Sequence, residues 1–354
     1  MKIRLKTGIL LLCIFLLTGC SPRLVPATPG LPPAPTSLSI PAGLTREQFI
    51  TLNSLQKVED YPLYTMTYTG AYRPRAGTIL PDKTVTTTEY SSTWACSLFT
   101  VLLDEENLLY GRNFDWQFSP ALLLFTDPPD GYASVSMVDL AYFGFDDTTA
   151  KGITDFPIEK RTSLLDAPYM PFDGMNEYGL VIGMAAVSPG NMQPDANKET
   201  IGSIGIIRQM LDQTRNVNEA LAIIKSYNID FGGGPPIHYL MADATGKSVL
   251  VEYYNGEMHI IDNKDPWHLA TNFLRSSVDD PADGGCWRYN TIQAQLTETD
   301  GQIDAGAAMS LLADVAQDST QWSVVYQMSN GTINVVMGQE YQNMHQFQLD
   351  LAGR

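Results

Sequence analysis

From Cys96 onward the chain is built of short apolar runs broken by turn residues. CSLFTVLL, a DEEN turn and LLYGRNFDW (108–116) predict the two strands of a hairpin. ALLLFTDPP (121–129), YASVSMVDLAYFGF (132–145) and GLVIGMAAVS (179–188) predict further strands. Residues 204–227 change period: Ile206, Ile207, Met210 and Leu211 recur at helical spacing, and Ala220, Leu221, Ile223 and Ile224 follow. Asn216 to Asn218 would split that stretch into two helices. IHYLMADATGKSVLVEYYNGEMHIID (237–262) predicts strands around turns at Asp243 to Gly246 and at Asn255-Gly256. GAAMSLLADVAQ (306–317) predicts a helix, and WSVVYQMSNGTINVVMG (322–338) a hairpin about Asn330-Gly331. Hairpins, then helices, then hairpins again predict a layered α+β domain with antiparallel sheets.

Before Cys96 the pattern is different. Lys2, Arg4 and Lys6 precede a short apolar stretch, Gly8 to Leu17, that ends in Leu17-Thr18-Gly19-Cys20. Positive flank, apolar stretch and terminal Cys in this order resemble a bacterial lipoprotein signal. Residues 1–19 would be removed and Cys20 would carry lipid, enough acyl chain for stable membrane anchoring. Residues 20–45 are rich in Pro, Ser and Thr and read as an extended tether. Residues 46–95 would form a linking segment: a helix over REQFITLNSLQKV (46–58) capped by Thr45, a Tyr/Thr-rich YPLYTMTYTGAY (61–72), and a polar, β-prone TVTTTEYSST (84–93). The body would be 96–354.

Composition narrows the partners. The net charge of −17 and pI near 4.5 lack the basic footprint that nucleic acid requires. Hydrophobic residues at 44% are ample for a folded core and exclude global disorder. The four His (His238, His259, His268, His345) are scattered and no Cys/His ligand spacing occurs, so neither a zinc site nor any other cofactor is implied.

Two cysteines remain in the body, Cys96 and Cys286. In an exported protein they are candidates for one disulfide. The hairpin offers another reading. A residue at the start of one strand is brought back beside the end of the other, so Cys96, Arg112 and Asp115 can meet. An Arg beside a thiol stabilises its thiolate. On spacing alone, a buried Cys beside a surface Arg–Asp pair is the commoner arrangement.

The residues WACSLFTVLLDEENLLYGRNFDW resemble the choloylglycine hydrolase and acid-amidase group of N-terminal-nucleophile hydrolases, with a Cys heading a strand and a downstream G-R-N-x-D. The resemblance continues in order through GMNEYGLVIG (174–183), IHYLMADATGKSVLVEY (237–253), ATNF (270–273), GCWRYNTI (285–292) and WSVVYQMSNGTI (322–333). It implies a four-layer αββα sandwich and hydrolysis of a linear amide in a small N-acyl substrate. It also implies roles: Cys96 as nucleophile with its own freed α-amine as base, Arg112 stabilising the thiolate, Asp115 orienting the amine, Asn176 and Asn272 as oxyanion donors, and Arg288 completing the charge network. Cys286 would then be a small core residue. Taken singly, Asn176 and Asn272 would more often cap turns. Phe114, Trp116, Phe118 and Tyr132 would line an acyl pocket or serve as ordinary core.

One feature departs from the bile-salt-hydrolase pattern: Cys96 lies far from the chain start. Activation would require a cut between Ala95 and Cys96, by Cys96 attacking the preceding carbonyl. The lipid-bearing 20–95 piece would remain as a small subunit or dissociate. An acyltransferase of the same fold, and a binding lipoprotein with a Cys96–Cys286 disulfide, are the alternatives.

Overall fold

The computed structural model describes residues 40–72, 95–232 and 234–353. The signal segment, Cys20, most of the tether and TVTTTEYSST lie outside these residues. Helix α1 (Arg46–Asn53) starts in a capping box, the Thr45 hydroxyl accepting from the Gln48 N–H while the Gln48 side chain accepts from the Thr45 N–H. It ends earlier than the sequence predicts. Gln56–Glu59 forms strand β1, paired with β2 (Leu63–Tyr68), and the Ser54 hydroxyl accepts from the Thr67 N–H of β2. Sheet pairing overrides the weak helical preference of these residues.

Strands β3 (Ala95–Val101) and β4 (Leu109–Asp115) form the expected hairpin, with Ala95 opposite Asp115 and Cys96 opposite Phe114. β5 (Ala121–Thr126) and β6 (Ser134–Asp139) follow. The strand expected through Phe145 stops at Asp139, whose carboxylate accepts from the Ala141 N–H and caps a 3-10 turn over Leu140–Phe143. β7 (Asp173–Asn176), β8 (Val181–Ala186) and β9 (Glu199–Gly202) lead to the helical stretch. It divides into α2 (Gly205–Gln213) and α3 (Val217–Lys225), Asn216 capping the second through the Glu219 N–H. β10 (Tyr227–Asp230) pairs with β9, and β11 (Ile237–Ala242), β12 (Ser248–Tyr254) and β13 (Glu257–Asp262) form a meander. After β14 (Trp267–Ala270), two helices, α4 (Trp287–Glu298) and α5 (Ala305–Asp314), precede β15 (Thr320–Gln327), β16 (Thr332–Met337) and β17 (His345–Gln348).

Two sheets result. One runs β1-β2-β5-β6-β7-β8-β11-β12-β13, the other β14-β3-β4-β15-β16-β17. Within both, every pairing is antiparallel except β2 with β5. Side-chain alternation assigns the layers. Cys96, Leu98, Tyr110 and Phe114 point into the core between the sheets, while Phe99, Val101 and Leu109 join the core under α4 and α5. The sheets approach closely at Gly183, where a Cβ would lie 2.5 Å from the Tyr110 hydroxyl, so only glycine fits. Helix α2 covers β7 and β8, and α4 and α5 cover β14, β3, β4 and β15. This is the αββα order that the motifs imply. Among the described residues no helix is long and apolar enough to cross a membrane.

The segment before Cys96 is woven into the large sheet. β2 pairs with β5 from Leu63↔Ala121 to Tyr68↔Thr126. Leu52, Leu63, Tyr64 and Met66 are buried in the main hydrophobic core around the large sheet. Tyr61 donates to Gln321 Oε1 (2.9 Å), Tyr64 to the Ala150 carbonyl (2.6 Å) and Tyr72 to Asp212 Oδ1 (3.0 Å).

Candidate active site

Alternation along β3 sends the Cys96 side chain to the inter-sheet layer and leaves its backbone open to groups from the loop after β14 and from α4. Both backbone groups are taken. The Cys96 N–H donates to Asn272 Oδ1 at 2.5 Å, and the Cys96 carbonyl accepts from Arg288 Nη1. Arg288 also donates to Ser97 Oγ (3.1 Å) and, through Nη2, to Asn272 Oδ1 (3.1 Å). It stands 3.9 Å from the Asp115 carboxylate. Asn272 Nδ2 reaches across to the other sheet and donates to the Ala186 carbonyl (2.7 Å). Asp115, opposite Ala95, accepts from the Thr320 hydroxyl and from Gln317 Nε2 (2.9 Å). Asn272 thus holds the N–H of the Ala95–Cys96 peptide, Arg288 holds the carbonyl on the far side of Cys96, and the strand that ends at Asp115 runs alongside.

Arg112 lies on the inner side with the thiol and is fully buried. Its Nη1 donates to the Phe172 carbonyl (2.7 Å) and to Asp173, which also accepts from the Tyr326 hydroxyl. Its guanidinium stands 5.2 Å from the Phe114 ring centroid. Removing one partner of such a buried pair costs about 3–5 kcal/mol, so Asp173 fixes Arg112 where it is. Burial opposes the Arg112 charge, but Asp173 and the Cys96 thiol outweigh it and raise its pKa. Burial pushes the Cys96 thiol up; the Arg112 charge pulls it down, Asp115 pushes it further up, and the net effect is a raised pKa. The Asp115 carboxyl is likewise raised by burial, against the hydrogen bonds of Thr320 and Gln317 and the charge of Arg288. Burial thus favours the protonated thiol, beside a cation that Asp173 holds in place.

Five of the six residues expected from the motifs, Cys96, Arg112, Asp115, Asn272 and Arg288, come together. Asn176 does not. Its Nδ2 donates to the carbonyls of Leu211 (3.0 Å) and Thr214 (2.6 Å), and its Oδ1 accepts from the N–H groups of Tyr178 and Leu180. It lies where β7 turns into β8, whereas Asn272 meets the Ala186 end of β8, about 17 Å away at strand rise. The oxyanion role expected for Asn176 is corrected accordingly: it ties a turn to helix α2. Tyr132 is corrected too. It packs edge-on to Tyr178 (4.8 Å) at that same distant end. Phe114 is near the thiol and stacks on Trp322 at 4.0 Å; Trp116 and Phe118 are half-buried against the inter-sheet core.

Both body cysteines are free, contrary to the disulfide reading. Cys286 precedes α4 and accepts from the Thr271 hydroxyl (3.2 Å). It is half-buried, not fully interior. Asp173, Gln317 and Thr320 were not expected. Asp173 immediately precedes GMNEYGLVIG, the only local signal; Thr320 opens β15 and Gln317 lies in the turn before it, far along the chain. Among the described residues no cluster of His, Cys, Asp or Glu could hold a metal ion.

Layers and site together define the N-terminal-nucleophile hydrolase fold. Two crystal structures share it, both variants of conjugated bile acid hydrolase from Clostridium perfringens: 16% identical, TM-scores 0.51 and 0.50, each alignment covering 72% of this chain and 92% of that one. Residues 96–273 match the profile of the linear amide C-N hydrolases, choloylglycine hydrolase family, and the chain belongs to that family. An uncharacterized protein of Paramecium bursaria Chlorella virus 1 is 35% identical over 109 residues, 28% of this chain; the match spans 38% of that relative's length.

Proposed function

We propose that the chain is a cysteine N-terminal-nucleophile amidohydrolase that cleaves the linear, non-peptide amide of a small N-acyl substrate. The observation that carries this reading is the grip on Cys96: its N–H and carbonyl held by Asn272 and Arg288, its thiol on the Arg112 side, and the preceding peptide bond opposite Asp115.

The first reaction is activation. The Cys96 sulfur attacks the Ala95 carbonyl, the C–N bond to Cys96 breaks, and the acyl group passes to sulfur while the nitrogen becomes an amine. Water then hydrolyses the thioester, leaving an Ala95 carboxylate and a free Cys96 thiol with an α-amine. The amine can now accept the thiol proton. The sulfur attacks the substrate carbonyl, Asn272 and Arg112 stabilise the developing charges, and the proton passes to the departing amine. A water molecule hydrolyses the acyl-thioester and restores the thiol. Asn272 Nδ2 has two hydrogens, one directed to Ala186, so one remains for the oxyanion.

The strand pairing and buried side chains of residues 40–72 support retention of the cut-off segment as a small subunit. With lipid on Cys20, the exported enzyme would then stay on a bacterial membrane, at the cell surface or the periplasmic face, after cleavage. The test is a panel of N-acyl amides against wild type and Cys96→Ala, with iodoacetamide labelling of Cys96 followed by peptide mass spectrometry. Turnover that disappears in Cys96→Ala and with alkylation is expected. Equal turnover in the variant would refute the assignment.

A further inference from the structure

We infer that Glu252 is a positioning residue that sets the loop carrying Asn272; the inference rests on the reading of Cys96 as nucleophile. Glu252 lies in β12, outside every motif role derived above, and is fully buried. A carboxylate in a sheet core is costly unless each oxygen is occupied. Here both are. Oε1 accepts from the Arg275 N–H (2.9 Å) and meets His238 Nδ1 (3.0 Å); Oε2 accepts from the Ser276 N–H (2.8 Å). The two N–H groups open the 3-10 turn Arg275–Ser277, where backbone donors have no partner of their own. They lie three and four residues after Asn272. The carboxylate thus pins the loop from the opposite sheet just beyond the side chain that holds the Cys96 N–H.

The hold extends to both partners of the Cys96 backbone. The Arg275 side chain donates to the Tyr289 hydroxyl and stands 5.2 Å from that ring centroid. Tyr289 follows Arg288, which holds the Cys96 carbonyl. On the other side, His238 in β11 is paired with Ala185 of β8, next to the Ala186 carbonyl that receives Asn272 Nδ2. His238 is itself fully buried. Burial would raise the Glu252 carboxyl, but the hydrogen bond and charge of His238 and the Ser276 and Arg275 N–H groups outweigh it and hold it below the usual range. A charged acceptor of this kind holds main-chain donors more strongly than a neutral one.

Glu252→Gln keeps the volume but turns one acceptor into a donor facing an N–H. With the best amide of the substrate panel, kcat is expected to fall by roughly 10²-fold while KM changes little, because a displaced Asn272 costs alignment at the reacting centre rather than substrate binding. Cleavage between Ala95 and Cys96 should slow as well. In an Asn272→Ala background the same substitution should add little, since the two act through one group. His238→Gln, outside the loop, should show the same kcat-selective loss at smaller size, and remains informative if Glu252→Gln does not fold. Wild-type kcat in either folded variant, or a loss fully additive with Asn272→Ala, overturns the inference. If wild-type turnover itself persists in Cys96→Ala, the nucleophile reading fails and this inference falls with it.

Discussion

Asn272 and Asn176 belong to motifs of the same family and carry the same expected role, yet they serve opposite ends of strand β8. Asn272 sits at the Ala186 end, where its carbonyl oxygen faces the Cys96 N–H and its nitrogen bridges the two sheets. Asn176 sits at the Val181 end and spends all its polar capacity on backbone groups of one turn and one helix. The residue type is identical; the difference is which end of a six-residue strand each occupies. An asparagine amide becomes chemistry only where its neighbours leave a hydrogen free. At the Asn176 end, all are used for structure.

Four substitutions can break or sharpen that contrast. Cys96→Ala should have the largest effect, a loss of amide turnover of at least about 10⁴-fold with no cut before residue 96, read by steady-state kinetics and mass spectrometry. Asn272→Ala should follow, lowering kcat by about 10²–10³-fold, as removal of an oxyanion donor does. Asn176→Ala should reverse the pattern. Four backbone groups, three of them in buried residues, lose their hydrogen bonds, so unfolding in urea should show a stability loss of about 3 kcal/mol, while kcat per folded molecule stays near wild type. If Asn176→Ala lost kcat as Asn272→Ala does, without loss of stability, the contrast would be wrong.

The smallest effect should come from Asp139, also at the site end of the large sheet. Burial pushes its carboxyl up to about 7, against its hydrogen bonds to the Ala141 N–H and Ser119, and one of its oxygens has no partner. Between the ordinary carboxyl range and about pH 7 the folded state holds a proton that the unfolded chain has released. Stability therefore falls as pH rises through that window and is level above it. Asp139→Asn removes the penalty. It should be more stable than wild type by on the order of 2 kcal/mol at pH 8, with the advantage fading toward pH 4, as thermal unfolding at several pH values would show.

The contrast also explains what the sequence made legible. The β3–β4 hairpin was readable because its two strands are adjacent and its turn is explicit, and it carries Cys96, Arg112 and Asp115 together. Asn272 and Arg288 were readable only through ordered motifs, since nothing local relates them to Cys96. Asp173, Gln317, Thr320 and Glu252 stayed hidden because strand order β14-β3-β4-β15, and the facing of the two sheets, bring them in from distant segments. Helix α4 is hard to read from sequence because its buried apolar stripe, Tyr289, Ile292 and Leu296, is narrow and its largest apolar residue, Trp287, is exposed. The motif names Asn176 without stating which end of the strand it faces, and it faces the far one.

The central claim is that Cys96 becomes a chain terminus and acts from there. Intact-mass analysis of purified, catalytically active protein tests it most directly, with N-terminal peptide mapping of the same sample. The expected result is a fragment that begins at Cys96, together with a smaller piece ending at Ala95, and an uncut chain for Cys96→Ala. Full activity from a wild-type chain still continuous through Ala95–Cys96 would contradict it.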